Sequence, residues 1–394
     1  LPRLEREAIV ELADPAVVIG AEVAGRECLP TGFRPSHQID CTPLADAVAG
    51  AWKAPTSGGS TGLPKLIVSG DPSTYDHGQA GLASLIGAGY DTTMVIPGPL
   101  YHNGPFIWTF LSLLAGSHVV LLPRFDAEAT LAAIDTHRAK AIYLVPTMMQ
   151  RIWKLPTEDR LAYDVTSLEV AFHLAEPCPA WLKREWIDWL GPEVIWELYG
   201  GTEAQAFTVL NGTEWLEHPG SVGRTITGEM VIRDPDGRDL PPGGVGDVWM
   251  RWAGRDSPTY HYIGAEPDES DGWECLGDVG WMDDDGYLYL ADRRKDMILV
   301  GGANVYPAEV EAALNAHPGI RSAAVIGLPD EERGNTVHAI IEADELDTGE
   351  LKSFLGERLV SYKIPRSFEM VHEALRDDAG KVRRSALREA RLQG

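Results

Sequence analysis

From Ser117 to Tyr199 the chain alternates short apolar, β-branched runs with helical patterns, and this alternation constrains the fold more than any other feature. The order is HVVLL, AEATLAAIDTHR, KAIYLVP, a helical stretch around TMMQRIWKL, LEVAFHL, PAWLKREWIDWL and EVIWELY. Apolar strands separated by helices are the mark of βαβ units and a parallel sheet. Ligands of such sheets lie beyond the carboxyl ends of the strands. Two of those ends here carry AEPCP and GGTEA, so both loops are expected to face one site. The most apolar run, Phe106 to Pro123, is broken by Thr109, Ser112, Gly116, Ser117 and His118 into a helix-like and a strand-like half. It reads as core rather than as a membrane span.

After Ala204 the pattern changes to short strands separated by the turn sequences GRTITG, PDG, PPGG and DDDG, which predicts an antiparallel, barrel-like subdomain. From Asp292 it changes again, to a basic DRRK, a strand MILVG, a helix from Pro307, two strands (RSAAVIGL and TVHAIIEA), the helix ELKSFLGERL and a last helix after Lys381. The expected class is α/β. A large N-terminal domain of parallel βαβ subdomains, 1–291, includes the barrel-like part at 205–291, and a small α+β C-terminal domain with its own core covers 297–394. The charged junction 292–296 is short enough to act as a compact hinge.

With 394 residues, 44% of them hydrophobic, the chain can bury more than one core. Its 34 basic and 59 acidic residues leave a net charge of −25, which argues against nucleic-acid or anionic-membrane partners. Any anionic ligand would have to be held locally, against the global field. Cys28, Cys41, Cys178 and Cys275 show no zinc-site spacing, so free thiols in a reducing cytoplasm are expected. No signal peptide is visible, and the chain opens without Met in a helical pattern, so a preceding segment is expected.

The stretch TSGGSTGLPK, Thr56 to Lys65, packs small and hydroxylated residues ahead of a single cation. Gly58, Gly59 and Gly62 let backbone N–H groups turn toward an anion, Thr56, Ser57, Ser60 and Thr61 offer hydroxyls, and Lys65 supplies charge. A Gly/Ser surface linker would look similar in isolation. A Walker loop would not, because that motif opens a helix, whereas Pro64 holds Leu63 extended and Lys65 leads into the strand-like LIV.

Three further segments follow this loop in order: YGGTEA (Tyr199 to Ala204), the run GDVGWMDDDGYLYLADRRKDMILVGGANVYPAEVE from Gly277 to Glu311, and GKVRR from Gly380. The four together, over nearly the whole chain, resemble the adenylate-forming superfamily of acyl-CoA synthetases, firefly luciferases and peptide-synthetase adenylation domains. In wording the chain looks most like bacterial acyl-CoA synthetases, including those for bile-acid-like or other bulky carboxylates.

The resemblance implies ATP-dependent activation of a carboxylic acid to acyl-AMP, followed by transfer to CoA, with Mg²⁺ required. It implies that Thr56, Ser57, Gly58, Gly59, Ser60, Thr61 and Lys65 hold the β- and γ-phosphates, that Thr202 touches the α-phosphate, and that Glu203 holds Mg²⁺. Asp278 and Arg293 would bond the ribose. Ala175, Glu176 and Pro177 of HLAEP would line the adenine with Tyr199, Gly200 and Gly201, although the commoner family form there is G-G-A-P. Lys381, ordinarily a solvated lysine in a polar loop, would reach the substrate carboxylate and α-phosphate. Gly301 and Gly302 would flank the pantetheine of CoA, and Lys295 would be the pivot. His102, Phe106 and Trp108 of YHNGPFIWTF would line the acyl pocket with Leu174, Tyr199 and Gly200. Two other readings stay open at this point: loading of an acyl or amino acid onto a carrier protein, and a truncated homologue that only binds nucleotide. The sequence names neither the acid nor the oligomeric state, with a homodimer among the options.

Overall fold

The computed structural model describes residues 3–36, 47–58, 64–75, 80–254, 257–330, 332–377 and 380–392. Contacts group the chain into two compact units, one of Leu1–Tyr75, Thr202–Ala204 and Gly254–Glu269, the other of Asp76–Gly201, Gln205–Ala253 and Ser270–Gly394.

In the larger unit the apolar runs form strands Thr93–Ile96, His118–Leu121, Ala141–Leu144, Val170–Leu174 and Ile195–Gly200, all parallel, as the alternation predicts. The intervening helices are Asn103–Leu114, Ala127–His137, Pro146–Trp153 and Ala180–Leu190. Local chemistry sets their ends. Asp126 caps the second by accepting from Ala129 N at 2.8 Å, and Pro146 opens the third at a first-turn position that needs no donor. The core between these layers includes Ile96, Ile142, Met148, Phe172, Leu182 and Ile195.

The antiparallel strands expected after Ala204 are present, but they do not make a separate layer. Phe207–Asn211 turns back onto Ile195–Gly200, and the sheet continues through Ser221–Thr227, Tyr287–Arg293, Trp273–Met282, Gly246–Arg251 and Glu229–Arg233. Parallel and antiparallel halves are thus one mixed sheet, with a small second core around Val248, Met250 and Leu288. Sequence pattern sees each strand's own periodicity and not its neighbour, so this continuity was not legible beforehand.

The C-terminal strands Ser322–Asp330 and Gly334–Glu342 form a long antiparallel pair, and Ser367–Val371, which the sequence reading did not single out, adds a parallel third. Helices Pro307–Asn315 and Thr348–Gly356 contribute Val310, Leu314, Leu351 and Leu355 to a core of their own. The smaller unit holds the helix Arg3–Ala13, a short parallel pair, and an antiparallel sheet ordered Tyr260–Ile263, Pro64–Ser69, Thr56–Gly58.

One polar pair lies deep in the larger unit. Lys183 of helix Ala180–Leu190 donates to Glu197 of strand Ile195–Gly200, and both side chains are buried. His173 lies 3.9 Å from the same carboxylate, and burial with the nearby Lys183 charge holds its pKa well below the ordinary value, so it is neutral. Breaking such a pair strands a charge in the core, whereas replacing both partners need not. Glu197→Gln is therefore expected to destabilise the chain by about 3–5 kcal/mol, and Lys183→Met with Glu197→Leu by much less. Denaturant midpoints of the three proteins test this; equal losses in the single and double variants would contradict it.

Candidate active site

The smaller unit assembles a cation and a carboxylate. Lys65 follows Pro64 into strand Pro64–Ser69, whose antiparallel neighbour Tyr260–Ile263 carries Tyr262 opposite Ile67. The Lys65 ammonium sits over the Tyr262 ring at 3.5 Å from its centre, a cation–π contact that steadies the charge. The Tyr262 hydroxyl donates to Glu203 Oε1 at 2.6 Å, and Lys65 Nζ is 4.0 Å from the same oxygen. Thr259 Oγ1 donates to the Glu203 carbonyl at 2.7 Å. Lys53 belongs to this group as well: burial lowers its pKa to about 8, against the pull of Glu203 and Asp71. Lys53 and Tyr262 had no signal in the sequence, because contacts with the strand Pro64–Ser69 bring them in: Ser69 N donates to the Lys53 carbonyl at 3.0 Å, and Tyr262 lies on a paired strand.

Thr56, Ser57 and Gly58, expected within the loop, form a strand paired antiparallel with Pro64–Ser69. Gly59, Ser60 and Thr61 lie outside the described residues. A hard cation is well matched by the Glu203 carboxylate. Among the described residues no three His, Cys, Asp or Glu side chains come together as a metal cage. That donor set suits Mg²⁺, which is commonly held by one or two carboxylates together with substrate phosphates rather than by protein alone.

The larger unit assembles a second group. Asp278 and Arg293 are cross-strand partners of Trp273–Met282 and Tyr287–Arg293, so the register alone brings them together. Arg293 Nε lies 3.1 Å from Asp278 Oδ1, while the Tyr199 hydroxyl donates to Oδ2 at 2.8 Å. Burial and the Asp278 charge push the Tyr199 pKa well above its ordinary value, so this phenol stays a donor. Two expected ribose residues and one expected adenine residue thus form a single constellation. Gly200 has a local reason to be glycine, since a Cβ there would meet the Phe207 ring at 2.4 Å. Gly201 follows it beyond the end of the strand.

The loop after Val170–Leu174 turns through Ala175 at φ 74, a left-handed conformation unusual for alanine, with Leu174 half-buried and Pro177 exposed. Next to Ala175, the Glu176 carboxylate accepts from Thr147 Oγ1 at 2.8 Å. Lys381 is exposed and follows Gly380, which is buried. Gly301 and Gly302, at φ 56 and 85, are the two-residue turn between Ile298–Val300 and Ala303–Val305, with open space where side chains would stand. Lys295 is exposed.

Of the expected acyl-pocket residues, His102 precedes helix Asn103–Leu114 and is half-buried, as is Phe106, which packs on Phe110 at 4.5 Å between ring centres. Trp108 is a core residue at 4% exposure, edge-on to Tyr143 and Phe172. Its position on the buried side of the helix follows from the 3.6-residue period.

Comparison with known proteins agrees with this geometry. Residues 54–254 match the AMP-binding enzyme family and residues 309–381 match the AMP-binding enzyme C-terminal domain. The chain is 32% identical over 358 residues to the 2-succinylbenzoate–CoA ligase of Bacillus licheniformis, covering 90% of this chain and 72% of that protein. It is 32% identical to the fatty acid–[acyl-carrier-protein] ligase ScoC of Streptomyces coeruleorubidus, covering 92% and 70%. The solved structure of o-succinylbenzoate CoA synthetase MenE from Bacillus subtilis, in complex with an acyl-adenylate intermediate, superposes with a TM-score of 0.78 at 26% identity, over 98% of this chain and 81% of that one. The order of four motifs, the mixed sheet and these matches lead to one conclusion: the chain belongs to the AMP-binding enzymes of the adenylate-forming superfamily, and it is an AMP-forming acid–thiol ligase.

Proposed function

We propose that this enzyme activates a carboxylic acid bulkier than acetate and passes it to CoA. The observation that carries the residue assignment is the pairing of Lys65 with Glu203 beside Tyr262, a cation and a hard oxygen ligand set side by side. Activation brings two anions together: a carboxylate oxygen attacks the α-phosphorus of ATP, an O–P bond forms, and the bond to the β-phosphate breaks to release pyrophosphate. The chemistry is chiefly positioning and charge neutralisation. In this reading Lys65 and the segment 56–61 bind the outer phosphates, Thr202 the α-phosphate, and Glu203 would hold Mg²⁺, which offsets phosphate charge when bound. Asp278 takes the ribose hydroxyls with Arg293 as its fixed partner, Tyr199, Gly200, Gly201, Ala175 and Pro177 line the base, and Lys381 bridges carboxylate and α-phosphate.

In the second half-reaction the CoA sulfur attacks the acyl carbonyl, loses its proton, and AMP leaves. We infer that 297–394 moves relative to 1–291 about 292–296 for this step, with Lys295 as the pivot and the open turn Gly301–Gly302 admitting the thiol. The reading of a bulky acid rests on the relatives, named for 2-succinylbenzoate, ferulate and long-chain fatty acids. His102, Phe106 and Leu174 are the proposed walls of its pocket. A carrier-protein thiol is the second acceptor to consider, because ScoC is named for that acceptor. ATP and CoA supply, together with the free thiols Cys28, Cys178 and Cys275, fit a cytoplasmic setting.

Pyrophosphate release across a panel of acids, with CoA or a phosphopantetheinylated carrier, tests the function: aromatic or long aliphatic acids with CoA are expected to be turned over, and release from none would refute it. Lys381→Ala is expected to slow acyl-AMP formation by about 10²- to 10³-fold, the usual cost of removing one preorganised donor, while a supplied acyl-AMP is still converted to thioester. Equal loss in both halves would contradict the assigned role. Glu203→Gln removes a charged oxygen and is expected to move the Mg²⁺ titration to higher concentration. An unchanged titration would place the metal elsewhere.

A further inference from the structure

Glu176 stands where the commoner motif form has a small residue, and its surroundings are unlike those of a surface carboxylate. Its side chain is 10% exposed, and the Arg376 side chain beside it is 12% exposed. Thr147 donates to Oε2 at 2.8 Å, and Arg376 Nη1 is 3.6 Å from the same oxygen. Oε1 is buried and accepts no hydrogen bond. It faces Gly380, whose φ is +78, and a Cβ built there would fall 1.4 Å from Oε1. Only glycine lets the backbone just before Lys381 approach the carboxylate so closely.

Arg376 connects the two sides. Its Nη1 donates to the Gly380 carbonyl at 2.8 Å, and its Nη2 donates to Glu311 Oε2 at 2.9 Å. Glu311 in turn accepts from Arg384, which also donates to Asp296 Oδ2 at 3.0 Å, in the junction read as the hinge. The turn itself closes through Gly380 N to the Asp377 carbonyl and Lys381 N to Asp377 Oδ1, both 2.9 Å. An unbroken run of charged contacts therefore joins the loop after Val170–Leu174 to the hinge, passing under the residue before Lys381.

We propose that Glu176 is a positioning residue for Lys381: with Arg376 it forms a clasp that seats the Arg376–Lys381 turn for acyl-AMP formation and must open before thioester formation. This rests on the roles of Lys381 and the hinge given above. The pair is nearly buried, so its contacts are worth more than a surface ion pair and are costly to lose one-sidedly. Burial pushes the Glu176 pKa up to about 7 against the pull of Arg376 and Thr147, so the group can take up a proton near neutrality when Arg376 departs. That lowers the cost of opening and makes the clasp reversible.

The isosteric Glu176→Gln keeps the shape and a carbonyl for Thr147 but removes the charge. In the nucleotide-free enzyme, amide exchange at Gly380 and Lys381 is expected to quicken by about 10- to 100-fold, between the worth of a surface ion pair and that of a buried one. In single-turnover assays acyl-AMP formation is expected to slow by a similar factor with the KM for ATP unchanged, while CoA-dependent consumption of supplied acyl-AMP is not slowed. A raised KM for ATP with kcat retained would make Glu176 a nucleotide contact and overturn the proposal. Unchanged exchange would overturn it whatever the kinetics show. Faster exchange with no turnover of any acid would count against acyl activation itself, which separates the failure of the two readings. Glu176→Asp, which keeps the charge on a shorter arm, is expected to recover part of both effects; recovery of neither would also overturn the clasp.

Discussion

The pairing of one mixed β-sheet is the constraint on which the larger unit depends. Backbone hydrogen bonding runs without a break from His118–Leu121 through the parallel strands to Ile195–Gly200, then through antiparallel neighbours to Glu229–Arg233. A strand's register decides which residues of distant sequence stand opposite one another, and a slip of one residue would send every side chain to the other face. Asp278 and Arg293 meet because they are register partners, and Tyr199 reaches them from the end of a parallel strand in the same sheet. The carboxylate read as the ribose ligand is therefore prepared by sheet geometry rather than by a loop.

Electrostatics then refine what the sheet positions. A chain of net charge −25 that is to hold phosphate-bearing ligands must concentrate its cations, since long-range repulsion opposes such anions. It does so by burying or backing them. Lys65 lies on an aromatic face, and Arg376 and Arg384 share Glu311 with little exposure. The same acidic partners that hold these cations in place give the C-terminal segment its polar links, so positive charge near Lys381 is fixed by carboxylates rather than repelled into solvent. Burial raises the pKa of Asp292, which nonetheless accepts from Ala308 N at 2.8 Å in the first turn of helix Pro307–Asn315, tying the junction to the domain that follows it.

The site was legible in the sequence to the extent that its residues sit in ordered motifs. Lys65, Thr202, Glu203, Asp278, Arg293 and Lys381 could each be named because the four segments that carry them resemble a known family, and their proposed roles come from that resemblance. Their supports could not. Tyr262 beneath Lys65, Arg376 beside Gly380 and Thr147 under Glu176 are ordinary residues in ordinary contexts, and nothing in their local sequence marks them.

The sequence by itself determined the class of fold, because hydrophobic period selects helix or strand locally, and the resemblance of its four ordered motifs to a known family carried the expected chemistry. It also set the glycines at 301 and 302, whose positive φ angles are a local requirement of a two-residue turn. Only the tertiary structure decided that the antiparallel strands would extend the parallel sheet, that Ser367–Val371 would join the C-terminal one, and that Glu176 would become a buried partner of Arg376 instead of a solvated loop residue. Those outcomes depend on which surfaces meet across long stretches of chain, and pairing energies between distant segments leave no trace in the order of residues within either one.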